Sequence, residues 1–213
     1  MKARLRPVVL PRPAPRAARR TVYEALRRRQ TIREIGERPL PLSLLGNLLW
    51  AACGVNRRRG PFGLPGRTAA SASNSQEIEV FVALPSGAYR YEPLPHRLSP
   101  VVAADLRDLA INRGQRQLSP RAPARLIYVV DVDRLEHSAG FEEPGLHDPA
   151  TQRAYYFVDT GLIAANVYLF AAAAGLATWF HNCDRVRLAA RLKLRPNERV
   201  LFAQTVGYPA ICG

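Results

Sequence analysis

The sequence predicts an α+β fold with helices packed on a mixed sheet. Three observations carry this. Strand-like and helix-like segments follow one another without the regular βαβ rhythm of a doubly wound protein. Two strand-like runs flank Pro85-Ser86-Gly87, a tight turn that makes them a hairpin. Residues 161–180 carry no charged side chain, which suits a helix apolar on all sides at the centre of a layered domain.

Taken in order, residues 1–20 form a Pro/Arg-rich extension, with Pro7, Pro11, Pro13 and Pro15 among six arginines. Prolines at that density favour an extended, flexible, polyproline-like chain. Val8-Val9-Leu10 is too short to be the apolar core of a signal peptide. The folded domain is expected over 21–213. Thr21-Val22-Tyr23-Glu24 has the form of a capping box, in which each side chain satisfies an amide at a helix start, and a short helix runs to about Arg29. Pro39 and Pro41 interrupt the chain. Leu42 to Ala52 places Leu45, Leu48, Leu49 and Ala52 on one helical face, with Gly54 as the stop. Residues 54–68 read as a Gly/Pro/Arg loop. Glu77 to Leu84 alternates as a strand, and Ala88 to Tyr91 returns from the turn. Val101 to Ile111 is expected as a helix, Arg125 to Asp131 as a buried strand, 132–149 as irregular and Leu201 to Val206 as the last strand.

Composition bounds the function. The chain has 213 residues, 47% apolar and 23% charged, ordinary for one globular domain with an extension. Cys53, Cys183 and Cys212 are odd in number and form no CxxC pair, which argues against a disulfide framework or a zinc ribbon and for free thiols in the cytoplasm. The net charge of +14 would attract polyanions. Only Lys2 and Lys193 are lysines, however, and residues 1–38 hold twelve bases against three acids. Such skew reflects coding bias more simply than a nucleic-acid surface, and no aromatic-rich basic motif accompanies it. The uncharged run at 161–180 is long enough for a membrane span. Its six alanines up to Ala174 and its Asn166 favour a buried soluble helix instead.

Conventional catalytic constellations are absent. His96, His137, His147 and His181 have no metal-ligand spacing, and His181 beside Cys183 is ordinary proximity. Glu142-Glu143 reads as an exposed loop. No phosphate-binding glycine motif or nucleophile elbow occurs, so difficult chemistry would fall to a cofactor. Two polar segments suit a phosphorylated cofactor. Arg29-Gln30-Thr31-Ile32-Arg33 offers a fork of donors. In Thr68-Ala69-Ala70-Ser71-Ala72-Ser73-Asn74-Ser75-Gln76, small residues permit close backbone approach while hydroxyls and amides supply hydrogen bonds.

Their order resembles the flavin-dependent nitroreductase family. The first segment is similar to that family's Arg-x-Ser-x-Arg/Lys motif, and Ala70 to Gln76 to its Pro-Ser-Ser/Ala-x-Asn-x-Gln motif. Leu48 to Arg57 resembles a stretch in a branch related to the dehydrogenases that oxidise azoline rings. Asp159-Thr160-Gly161 through Asn166, then Ala172 to Thr178, resembles the long central helix and its ending. Val206-Gly207-Tyr208-Pro209 resembles the terminal strand. The resemblance spans about 21–210.

The resemblance implies a mixed, mostly antiparallel sheet flanked by helices, a long buried central helix, and a homodimer with FMN at the interface. It implies that Arg29, Gln30, Thr31 and Arg33 contact FMN from one subunit and Ala70, Ser71, Ala72 and Asn74 from the other. Gln115 matches a glutamine before Ala122-Pro123, and the turn after the central helix, Trp179-Phe180-His181-Asn182, would present a backbone N–H to the ring. Hydride would pass through flavin from NAD(P)H or an organic donor to a nitro, quinone or similar acceptor. Departures are Gln30 and Thr31 for Arg/His and Ser, Ala70 for Pro, Ile35 for an aromatic, and no Lys or Arg in Ala210-Ile211-Cys212-Gly213, where Arg185 or Arg187 would substitute. A flavin-binding protein without NAD(P)H turnover and a basic nucleic-acid-binding module are the alternatives.

Overall fold

The computed structural model describes residues 5–14, 20–141 and 147–210. Glu142, Glu143 and Cys212 lie outside the described residues. The main sheet has seven strands: β1 (Val8–Val9), β4 (Ile78–Leu84), β5 (Gly87–Glu92), β6 (Arg97–Val102), β7 (Ala124–Asp131), β8 (Ala177–His181) and β9 (Glu198–Gly207). Their spatial order is β1-β6-β5-β4-β7-β9-β8, and each neighbouring pair is antiparallel. The mostly antiparallel sheet that the sequence implies is present, and each of its pairings is antiparallel.

Both faces of the sheet are covered, which is why β7 is buried at all eight positions. On one face Val80, Val82, Leu126 and Tyr128 meet α2 (Leu42–Cys53) and α4 (Pro149–Ala174). On the other, Phe81, Ile127 and Val129 meet Leu188 and Leu192 of α5 (Arg185–Leu192). Leu48 and Leu49 of α2 are fully buried, and each contributes about 1.5–3 kcal/mol of transfer free energy. The capping box of α1 (Val22–Arg28) is present: Glu24 N–H donates to Thr21 Oγ1 at 3.2 Å and Thr21 N–H to Glu24 Oε2 at 2.8 Å.

Three expectations change. Val101 to Ile111 is not a helix. Val101 and Val102 complete β6, whose Pro100 stands opposite Tyr89 beside a register shift, where a missing N–H is tolerated. A single turn follows, Ala110 N–H donating to Leu106 C=O at 3.0 Å. The uncharged window 161–180 is also divided. The helix starts earlier, at Pro149, capped by Asp148, whose Oδ2 accepts from Thr151 N–H at 2.8 Å. It stops at Gly175, left-handed with φ 73°, the cap that glycine takes without steric cost. Trp179, Phe180 and His181 therefore lie in strand β8 and not in a turn. Lastly, Val8–Val9 pairs with Leu98 and Arg97 of β6, and Leu10 is buried, so this part of the extended N-terminal chain joins the sheet. The small hairpin β2 (Val55–Arg57) and β3 (Gly66–Arg67), helix α3 (Val132–Glu136) and α5 are additional to the sequence reading.

By length and composition α4 could cross a membrane. It packs instead at the domain centre against α1, α2, β8 and the sheet.

Candidate functional site

The first candidate segment follows α1 and runs along the outer edge of β8. An edge strand leaves every second backbone group unpaired, and two such groups are satisfied here. Ile32 N–H donates to Thr178 C=O at 3.1 Å. Phe180 N–H donates to Tyr168 Oη of α4 at 2.9 Å. The same hydroxyl meets Thr31 Oγ1 at 3.3 Å. Tyr168 thus ties the segment to the helix. Of Trp179 to Asn182, the stretch expected to present a backbone N–H to a ligand, Phe180 gives its own to Tyr168.

The arginines of this segment are held by rings. Arg29 lies over Tyr168, Cζ to centroid 5.7 Å, and Arg33 over Trp179 at 5.8 Å. Neither meets a carboxylate among the described residues, and Gln30 is exposed with its side chain unbonded among them. Ile32 packs with Ile35, Trp179 and Leu118 in one cluster. Leu118 ends the short helical turn Arg113–Leu118 that carries Gln115, and Asn112, which caps this turn, donates its N–H to Asn182 C=O, one residue past β8, at 3.1 Å. Arg29, Gln30, Thr31, Arg33, Gln115 and Phe180 are therefore neighbours of one strand edge.

The His181 ring faces the interior. Its Nδ1–H donates to Asn182 C=O at 2.9 Å, and its Nε2 accepts from Thr205 Oγ1–H at 2.7 Å. Burial pulls its pKa down to about 4, so the ring is neutral at pH 7. The Phe180 ring turns the opposite way, onto Phe202 at 4.8 Å and Tyr128 at 5.9 Å.

The second segment, Ala70 to Gln76, is a coiled loop entering β4. Ser73, Asn74 and Gln76 have φ of 48°, 53° and 54°, a left-handed region that Asn tolerates but that Ser and Gln rarely adopt. Gln76 N–H donates to Ser71 Oγ at 3.0 Å, Asn74 Nδ2 to Pro61 C=O at 3.0 Å, and Gln76 Nε2 to Asn74 Oδ1 at 3.0 Å. Ala72 N–H donates to Asp159 Oδ2 of α4 at 2.8 Å. Asp159 is buried beside Glu77, which accepts from Ser75 Oγ–H at 2.7 Å. Burial first, then the neighbouring Asp159, pushes the Glu77 carboxyl up to about 7. A cavity of about 460 Å³ is lined by Ala70, Ser71 and Asn74, with Arg57 and Arg67.

No hydrogen bond, ion pair or ring contact joins the two segments among the described residues. They anchor on α4 at Tyr168 and Asp159, nine positions apart. That is about 13 Å along the axis and half a turn around it. Between these faces α4 presents Val158, 60% exposed, Leu162, 41% exposed, and exposed Gly161 and Ala165.

Tyr168 and Asp159 escaped the sequence reading as site residues. Their only signal was polarity within an apolar helix, Tyr168 in the uncharged run and Asp159 just before it. Arg67 escaped as one arginine among many.

A model of the nitroreductase family matches residues 26–208 of this chain. A crystal structure from Ralstonia eutropha JMP134, described as a nitroreductase, is 34% identical, with 97% of this chain and 91% of that one covered and a TM-score of 0.83. A Methanocaldococcus jannaschii protein described as a nitroreductase is 28% identical over 162 residues, covering 73% of this chain and 75% of that protein. The NADPH:FMN oxidoreductase from Vibrio harveyi, solved with NAD+, is 18% identical and shares the fold, with a TM-score of 0.60 over 89% of this chain and 69% of that one.

Proposed function

We propose, from the premise that this chain belongs to the nitroreductase family, that it is an FMN-dependent oxidoreductase acting as a homodimer. The observation that carries the reading is the placement of the two polar segments on opposite faces of α4. One flat ring can touch both only if a second copy supplies one of them. The uncovered apolar face between them is the kind of surface that a second copy buries.

The residues present fit the cofactor. Arg29 and Arg33 have no carboxylate to satisfy them among the described residues, and a phosphate monoester supplies the missing charge. Thr31, positioned by Tyr168, and Gln30 offer hydrogen bonds to a polyol chain. Ala70, Ser71, Ala72 and Asn74 of the other copy form a low, polar wall beside the ring. When bound, FMN supplies the hydride chemistry. The protein orients the ring, matches its anionic charge with arginines, and excludes water with Trp179 and Phe180. The electron donor under this reading is NAD(P)H or an organic hydride donor, and the acceptor a nitro, quinone or similar compound in the same pocket. The NADPH:FMN oxidoreductase sharing this fold is in keeping with that choice.

The test is FMN retention. Purified protein is expected to be yellow, or to become so with added FMN, and to oxidise NADH or NADPH with a quinone or nitroaromatic acceptor. Arg29→Ala and Asn74→Ala should each weaken FMN binding at least ~10-fold, the scale of one lost charge-assisted contact. Full retention by both variants overturns the placement. A protein that holds FMN yet turns over with no donor is a binding protein and not an oxidoreductase.

A further inference from the structure

The sheet opens at one end. β4 stays paired with β7 as far as Ile78 opposite Val130, and β5 with β6 as far as Glu92 opposite Arg97, but the β4–β5 ladder stops at Phe81 opposite Arg90. Where the two strands part, a cavity of about 340 Å³ forms, closed by the β2–β3 hairpin on one side and α3 on the other. That volume falls within the range of small-molecule sites, roughly 300–1,000 Å³. None of Ala70, Ser71, Ala72 and Asn74 lines it.

Three arginines line this cavity. Two are matched. Arg134 is paired with Glu79 and with Asp131, the latter at 3.2 Å, and Arg90 lies 3.7 Å from Glu79 and 3.8 Å from Glu92. Arg67 has no ion pair and no side-chain hydrogen bond among the described residues, and its Nε is buried without a partner. Burial holds the Cys53 thiol up at about 11 and raises the Tyr91 hydroxyl further, so both stay neutral, and Glu79, the carboxylate that acts on Arg67 through space, is already engaged by Arg134 and Arg90. A largely buried guanidinium without a counter-ion is costly. Its own pKa is drawn down by the same burial.

We propose that this cavity is a binding site for a small organic monocarboxylate, received by Arg67. One unmatched positive charge calls for one negative charge. The planar fork of a guanidinium matches a carboxylate through two parallel N–H···O bonds. Glu79 and Glu92 also line the cavity, engaged by Arg90 and Arg134, and would repel a second negative charge, whereas Val55, Pro65, Val80 and Leu94 suit a hydrocarbon body. Gln76 also lines the cavity, and its amide holds Asn74 Oδ1 at 3.0 Å, so the occupant sits against the loop assigned above to the cofactor. The site itself does not depend on that assignment.

Isothermal titration of the protein as purified, at constant ionic strength, compares isovalerate with isovaleramide, its neutral isostere. Isovalerate is expected to bind saturably and at least ten-fold more tightly than the amide. Arg67→Met should abolish that preference and Arg29→Ala should leave it intact. Any flavin present should keep its visible spectrum during the titration. Equal affinity for acid and amide, wild-type isovalerate affinity in Arg67→Met, or release or spectral perturbation of flavin by isovalerate each overturns the proposal. Should Arg67→Met fail to fold, Arg67→Lys keeps the charge without the fork, and a several-fold weaker binding is expected. Unchanged affinity in that variant overturns the carboxylate fork.

Discussion

Glu77 and His181 set opposite pH dependences within one molecule. The buried Glu77 carboxyl titrates near 7 in the fold against an ordinary value of 4.5. The folded state therefore holds its proton more tightly, and the stability this gives is complete below pH 4.5 and is lost as the pH rises towards 7. His181 is the reverse case, titrating near 4 instead of 6.5 because burial disfavours its charged form. Its contribution is complete above pH 6.5 and is lost as the pH falls towards 4. Each shift corresponds to about 3 kcal/mol as an upper bound. Between pH 4.5 and 6.5 the two slopes nearly cancel. Glu77→Gln keeps a neutral, hydrogen-bonding side chain beside Asp159 and removes one slope. Its stability in urea should rise with pH across that window by up to ~3 kcal/mol more than wild type's. A variant profile parallel to wild type's would mean that Glu77 is not protonated in the fold. Asp159, beside Glu77, accepts from Ala72 N–H, so this titration takes place next to the backbone of the second segment.

Among the elements, α1 shows how a local signal reaches the site. Its capping box satisfies amides at the helix start, and its last turn delivers Arg29, whose N–H donates to Ala25 C=O at 2.8 Å. Thr21→Ala should cost about 1 kcal/mol, seen in calorimetry as a Tm lower by roughly 2–4 °C for a chain of this size. An unchanged Tm would mean that the helix is held by packing alone. Signals of this local kind made α1, α2, the β4–β5 hairpin and β7 legible in the sequence. The elements that were not legible depend on distant partners. Val101 and Val102 extend β6 only because β5 lies beside them, and the periodicity of 101–111 does not carry that information. Gly66–Arg67 is a strand through its pairing with Val55–Arg57. Residues 177–181 continue an apolar helix by composition, and only the left-handed Gly175 and the pairing with β9 turn them into an edge strand. The candidate site divides the same way. Its contiguous polar segments could be read from the chain, whereas Tyr168 and Asp159, which position them, become visible only when α4 is laid between them.

For the whole molecule, the same helix argues for assembly. Val158, Gly161, Leu162 and Ala165 follow helical spacing and form an apolar stripe on α4 open to solvent. Val22, Tyr23 and Leu26 expose a second apolar face on α1, 71%, 72% and 57% accessible, and α1 packs directly on α4. A domain with both faces of its sheet already covered gains nothing internally from these side chains, and the proposed dimer would bury them against a second copy. Val158→Arg separates folding from assembly. In one chain the position is 60% exposed, and a charge there costs little. Within an interface the same guanidinium would be buried without a partner and would disfavour association by several kcal/mol. Sedimentation should therefore report a dimer for wild type and a monomer for Val158→Arg, with little change in the thermal stability of the monomer. If the two polar segments converge only across the interface, FMN is lost in the same variant even though no residue assigned to the cofactor has changed. A monomer that retained FMN with wild-type affinity would locate the whole site within one chain and remove the need for a second copy.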